Sequence, residues 1–176
     1  MGDLPVELIL LVALLADPYT AYNIYKSLGY DDVWIEEEMS KRKDIYFWNG
    51  ENEVPENVTF VIIKEGVTTI SDGAFQWCDS LENVVIPNSV TSIGSYAFSY
   101  CDSLENVVIP NSVTTIGQGA FFCCINLDNV VIPDSVTTID QTAFGRCINL
   151  DYVVLLNKLT SFTECAFPSH TKIIRQ

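Results

Sequence analysis

Beyond residue 58 the apolar and polar positions recur on a fixed step. Gly66-Val67-Thr68-Thr69-Ile70 returns as Ser89-Val90-Thr91-Ser92-Ile93, Ser112-Val113-Thr114-Thr115-Ile116 and Ser135-Val136-Thr137-Thr138-Ile139, each starting 23 residues after the last. The same step relates Ala74-Phe75, Ala97-Phe98, Ala120-Phe121, Ala143-Phe144 and Ala166-Phe167, and also Leu81, Leu104, Leu127 and Leu150. A period of that length marks a solenoid in which each repeat is one coil stacked on its neighbours.

Within a coil, Leu81-Glu82-Asn83-Val84-Val85-Ile86 reads as a strand whose first, fourth and sixth side chains point inward and whose third and fifth point outward. Pro87, Pro110 and Pro133 recur at one coil position and end the strand there, because proline has no N–H to give a ladder. A second extended segment, Val-Thr-Thr-Ile, follows, and then a short helical turn around Ala-Phe. One coil turns Val67, Ile70, Ala74, Phe75, Cys78, Leu81, Val84 and Ile86 inward, worth on the order of 10–20 kcal/mol gross. Ordering the coil costs at least about 1 kcal/mol per residue, so a lone coil does not fold and stability comes from stacking.

Residues 1–55 have a different pattern. Three helical stretches are expected: Leu4-Pro5 to Ala16, Pro18 to Leu28, and Asp32 to Lys43. Asp3, Asp17 and Asp31 or Asp32 serve as caps, Pro5 and Pro18 sit in first turns, and Gly29 closes the second stretch. Asn49-Gly50 reads as a tight turn after Ile45-Tyr46-Phe47-Trp48. These helices are expected to cap the exposed edge of the first coil, giving a boundary between 1–55 and 56–176.

The 176 residues carry 23 acidic against 9 basic side chains, a net charge of −14, so nucleic acid and anionic membranes are disfavoured as partners. The apolar run Val6–Ala16 includes Glu7 and is too short to span a bilayer, and Met1-Gly2-Asp3 lacks the positive charge of a secretory leader. Val6 stands where a myristoylation signal at Gly2 wants Ser or Thr. The expectation is a soluble intracellular protein.

Stacking turns each repeat position into a column. Cys78, Cys101, Cys124 and Cys147 form one, with His170 next on the same step; a column spreads its thiols along an axis, whereas a zinc site gathers ligands at a point. These thiols are expected to be buried, reduced and inert, with Cys123 and Cys165 off the column. Beside the strands, Glu82, Glu105, Asp128 and Asp151 form an acidic column, and Asn83, Asn106, Asn129 and Tyr152 form the neighbouring outward one. Ile62, Val85, Val108, Val131 and Val154 form an apolar stripe next to them, and an exposed stripe of that kind marks an interface. The paired hydroxyls, such as Thr68/Thr69 and Thr114/Thr115, are adjacent and face opposite ways, so β propensity explains them better than an ice-binding array does. One histidine, no phosphate-cradling loop and no ligand cluster leave little for catalysis, and no metal or other cofactor is expected.

The Ala-Phe, Cys, Leu, Ile-Pro and Ser-Val-Thr elements resemble the BspA-like leucine-rich repeats over residues 58–176. The resemblance implies an α+β fold: a right-handed leucine-rich-repeat solenoid of about five coils, with a parallel sheet on one face, short helical turns on the other and a small amino-terminal helical cap. It also implies recognition of a protein partner, through the columns just named. Leu4-Pro5-Val6-Glu7-Leu8-Ile9 and the later Asp31-Asp32-Val33-Trp34 resemble an F-box. That resemblance implies an alternative function, a substrate receptor docking on a cullin-type ubiquitin-ligase adaptor through Leu4, Pro5, Leu8, Ile9 and Trp34.

Overall fold

The computed structural model describes residues 22, 25–27, 29–31, 36, 37, 39, 45–55, 57–157, 160–163 and 165–176. The expected helix over residues 4–16, and most of those over 18–28 and 32–43, therefore lie outside the described residues. Alternating strand patterns separated by proline and turn residues produce twelve short strands among the described ones. They are β1 (Ile45–Trp48), β2 (Phe60–Ile63), β3 (Thr69–Ile70), β4 (Asn83–Val85), β5 (Ser92–Ile93) and β6 (Asn106–Val107), followed by β7 (Thr115–Ile116), β8 (Asn129–Ile132), β9 (Thr138–Ile139), β10 (Tyr152–Leu155), β11 (Ser161–Phe162) and β12 (Lys172–Arg175).

Every pairing is parallel. The Val-Thr-Thr-Ile segments make one unbroken sheet, β3-β5-β7-β9-β11, and so define five turns of solenoid. The longer strands make the other face in two pieces, β1-β2-β4-β6 and β8-β10-β12, with the hydrogen-bonded ladder interrupted between β6 and β8. Leu156 stands where earlier coils have proline, and its N–H donates to Ile132 O at 3.0 Å, the bond that Pro87, Pro110 and Pro133 cannot make.

The core follows the repeat. Phe75, Phe98, Phe121, Phe144 and Phe167 stack in one column with ring centroids 5.0–5.3 Å apart, and Trp48 closes the column edge-on to Phe75 at 4.9 Å. That spacing is close to the inter-strand distance of a parallel sheet, so the ladder itself sets the ring contact. Leu81, Leu104, Leu127 and Leu150 form a second fully buried column.

The expected helical turn at Ala-Phe is instead a run of tight turns tied to the next coil. Amides of Ala74, Gln76 and Cys78 bond three residues back, at Ser71, Gly73 and Phe75, while the alternate amides of Gly73, Phe75 and Trp77 donate to Ser95, Ala97 and Ser99 one coil on. Left-handed backbone at Gly73 and Trp77, and at Tyr96/Tyr100, Gly119/Cys123 and Thr142/Arg146, turns every second amide out of the coil and rules out a helical i→i−4 ladder.

Three further features depart from the sequence reading. β1 pairs with β2 in register, Ile45 opposite Phe60 and Trp48 opposite Ile63, so a strand adds to the first coil's edge. The described amino-terminal residues lie on the outward face of the sheet: Tyr22, Tyr25 and Met39 form a buried cluster with Ile45, Phe60 and Ile62, and Lys64 Nζ meets Glu36 Oε1 at 2.7 Å. Finally, the last coil is short, since Val154 registers with Ile174, whereas Val131 registers with Val154. The shortening falls between Phe167, still stacked on Phe144, and Lys172, and it takes His170 out of the cysteine column to an exposed position.

Candidate functional site

The strand pleat places the outward columns side by side, as period-two alternation requires. Val84, Val107, Val130 and Val153 face the core, while Asn83, Val85, Asn106, Val108, Asn129, Val131, Tyr152 and Val154 face away from it. The apolar stripe is not uniform. Ile62 is only 3% exposed, buried under Tyr22, Tyr25 and Met39 instead of standing open, and Val85 packs against the same cluster and is half-buried. Val108 and Val131 are open, at 60% and 48%, and Val154 is half-buried; through its register partner Ile174, which is exposed, the stripe runs to the last strand.

Where the ladder stops between β6 and β8, the surface opens into a cleft of about 290 Å³ lined by Asn106, Val108, Asn111, Asn129, Val131 and Leu156. Its walls are aliphatic and its rim is carboxamide. Glu82, Glu105, Asp128 and Asp151 stand beside it as an exposed column, and no basic side chain pairs with any of them among the described residues. Asn129 Nδ2 donates to Asp128 Oδ1, which fixes one amide of the rim. Like charges one strand apart repel, so a basic partner on this flank removes a cost already present in the free protein. The predicted columns therefore converge on one half of one face, over the coils of β6, β8 and β10. Leu4, Pro5, Leu8, Ile9 and Trp34, the expected adaptor-docking residues, lie outside the described residues.

The cysteines have a structural role. Cys101, Cys124 and Cys147 are fully buried, and their thiols donate to Phe75, Phe98 and Phe121 carbonyls at 3.1, 3.1 and 3.0 Å, each tying one coil to the preceding one. Burial pushes all three above the ordinary thiol value of 9.0, Cys147 to about 12, so they stay protonated and able to donate. Cys78, half-buried at the first coil, is pushed up to about 11 by burial and then by Asp79. The Cys147 thiol is spent on a carbonyl in the core, whereas the His170 imidazole, next on the same sequence step, is in solvent. Among the described residues no three His, Cys, Asp or Glu side chains gather as a metal site, and no helix is long and apolar enough to cross a membrane.

Sequence reasoning missed an aromatic row at the turns. Trp77 and Tyr100 stack at 3.8 Å, Phe122 meets Tyr100 edge-on at 5.7 Å, and Arg146 lies over Phe122 at 5.6 Å. The signal was present, since Trp77 and Tyr100 are one repeat apart.

A family profile described as a BspA type leucine rich repeat region matches residues 54–174 in six copies. Among solved structures, a leucine rich cell surface protein from Faecalibacterium prausnitzii has a TM-score of 0.66 and 29% identity, with 70% of this chain covering 34% of that one. A leucine rich repeat protein of T. pallidum has a TM-score of 0.53 and 31% identity over 67% of this chain and 52% of that one. One from Bacteroides ovatus has a TM-score of 0.54 and 36% identity over 62% and 30%. The chain thus spans about a third to a half of the length of these proteins. No curated protein matches significantly. The family match begins downstream of the F-box-like residues, and no comparison carries that resemblance.

Proposed function

The chain belongs to the BspA-type leucine-rich-repeat family, and from that premise we propose that it is a non-enzymatic protein-interaction module whose partner docks on the outward strand face of β6, β8 and β10. The observation that carries the reading is the unequal cover of one apolar column. At Ile62 and Val85 the chain's own aromatic residues lie on the stripe; at Val108 and Val131 the same kind of surface is open, notched by a cleft and flanked by acids that meet no basic side chain among the described residues. An exposed aliphatic strip next to a carboxamide rim has the anatomy of an interface core with its polar border.

The partner in this reading presents an apolar ridge to Val108 and Val131 and basic side chains to Glu105, Asp128 and Asp151. The absence of catalysis is part of the proposal and is supported by the thiols of Cys101, Cys124 and Cys147, held protonated in the core, and by a single histidine that is exposed to solvent. The test is Val108→Asp. The substitution places a charge where solvent already reaches, so folding is unchanged within about 0.5 kcal/mol, while partner affinity falls about tenfold or more because a buried unpaired carboxylate is costly. Affinity unchanged by that variant would remove the strand face as the docking surface.

A further inference from the structure

The turn edge carries a second surface that the strand-face reading leaves unused. Trp77 is 60% exposed although one face of its indole rests on Tyr100 at 3.8 Å and 9°, so its opposite face is open. Both residues occupy left-handed backbone, φ 68° and 61°. That conformation recurs at this position in four successive coils, but it does not require an aromatic side chain, for Cys123 and Arg146 hold the same position further on. Bulky residues adopt this region at a cost that glycine or asparagine would avoid. The fold therefore accounts for the backbone here and leaves the two rings unexplained.

Two residues past each ring is a carboxylate, Asp79 and Asp102. Neither meets a basic side chain among the described residues. Partial burial and the charge of Asp79 raise Asp102 above its usual range, as for two like charges with no cation between them. The same row shows how a cation is seated here, since Arg146 lies over the ring of Phe122 at 5.6 Å, and Gly145 leaves the space that this ring occupies.

We propose that the Trp77–Tyr100 stack, with Asp79 and Asp102, is a second binding surface that takes an arginine side chain of a partner protein, its guanidinium lying on the open indole face and its charge met by the carboxylates. Arginine is favoured over lysine because a planar, weakly hydrated guanidinium stacks on a ring and gives hydrogen bonds in the ring plane, whereas an ammonium is a strongly hydrated point charge. The net charge of −14 draws basic segments to the whole surface, so the distinguishing property is the preference for arginine and not attraction as such.

The experiment is a calorimetric titration of the full chain with tetra-arginine amide and tetra-lysine amide at about 0.15 M salt, where long-range attraction is screened. Wild type is expected to bind the arginine peptide about fivefold tighter, the size of one exposed cation–π contact. Trp77→Ala, and separately Tyr100→Ala, abolish that preference. Asp79→Asn with Asp102→Asn weakens the arginine peptide more than the lysine peptide, and Val108→Asp leaves the preference intact, which separates this surface from the strand face. Thermal melts of each variant confirm folding. Equal binding of the two peptides by wild type, or a preference that survives both ring substitutions, overturns the proposal. Trp77-dependent binding of a neutral sugar, maltotriose, without an arginine preference also overturns it and makes the stack a carbohydrate platform.

Discussion

Removing one ring from the middle of the phenylalanine column should cost more than removing the same ring from its end. Phe121 is fully buried with a stacked ring on each side, at 5.1 and 5.0 Å, whereas Phe167 has one stacked neighbour, at 5.3 Å, and an edge contact with Phe162. Phe121→Ala deletes two stacking contacts, about 0.5–1.5 kcal/mol each, and leaves a void that cannot close because ladders on both sides hold the coils apart. The total falls at about 4–5 kcal/mol, the upper part of the range for Phe→Ala in a core, and Phe167→Ala at about 2–3 kcal/mol, since the end of the column can relax. Urea unfolding followed by far-ultraviolet circular dichroism measures both. Stability in a solenoid is a sum over coil interfaces, and Phe121 sits in two of them, so the variant's m-value should also drop as the two halves uncouple. A cost for Phe121→Ala below about 1.5 kcal/mol, or no larger than for Phe167→Ala, would refute the view that the column couples the coils.

Other consequences follow from the same contacts. Alkylation of native protein should label Cys165 and Cys123 first, and Cys101, Cys124 and Cys147 only once denaturant is added; rapid labelling of these three without denaturant would show that the thiol-to-carbonyl bonds are not held. The raised thiols also give stability a pH dependence: the folded state binds more protons than the unfolded one above pH 9.0, so the full contribution is present below that and is lost as pH rises towards about 11 to 12. Melting temperature flat from about pH 8 to 12 would contradict it. Tyr25→Ala should cost about 3 kcal/mol and uncover Phe60 and Ile62, seen as new binding of an apolar fluorescent dye; unchanged stability would mean that the amino-terminal residues do not hold the sheet.

The repeat made most of the solenoid legible, because a strict step places Phe98 on Phe75 and Ser92 beside Thr69 whatever the details of the coil. What escaped depends on contacts between unlike segments. Ile62 has an outward strand position, and nothing local says that Tyr22 and Tyr25 lie over it. Ile45–Trp48 lies before the family match, and only its pairing with β2 reveals it as part of the sheet. The turn at Ala-Phe has helix-compatible residues, yet left-handed backbone at Trp77 and Tyr100 sends alternate amides to the next coil. His170 was misplaced by a shortened last coil that leaves the Ala-Phe element in step. Of the candidate site, the columns of Asn106, Val108, Asn129 and Val131 were legible from alternation, but the break between β6 and β8 that opens the cleft was not.

The central claim, that the open half of the strand face is the docking surface, is tested most directly by quantitative affinity capture with wild type, Val108→Asp and a control on the opposite sheet, Thr115→Asp. Each is first shown to melt alike, and the captured partner is then titrated in purified form. The prediction is a partner held equally by wild type and Thr115→Asp and bound about tenfold or more weakly by Val108→Asp. Equal affinity for all three, or a loss confined to Thr115→Asp, would contradict it.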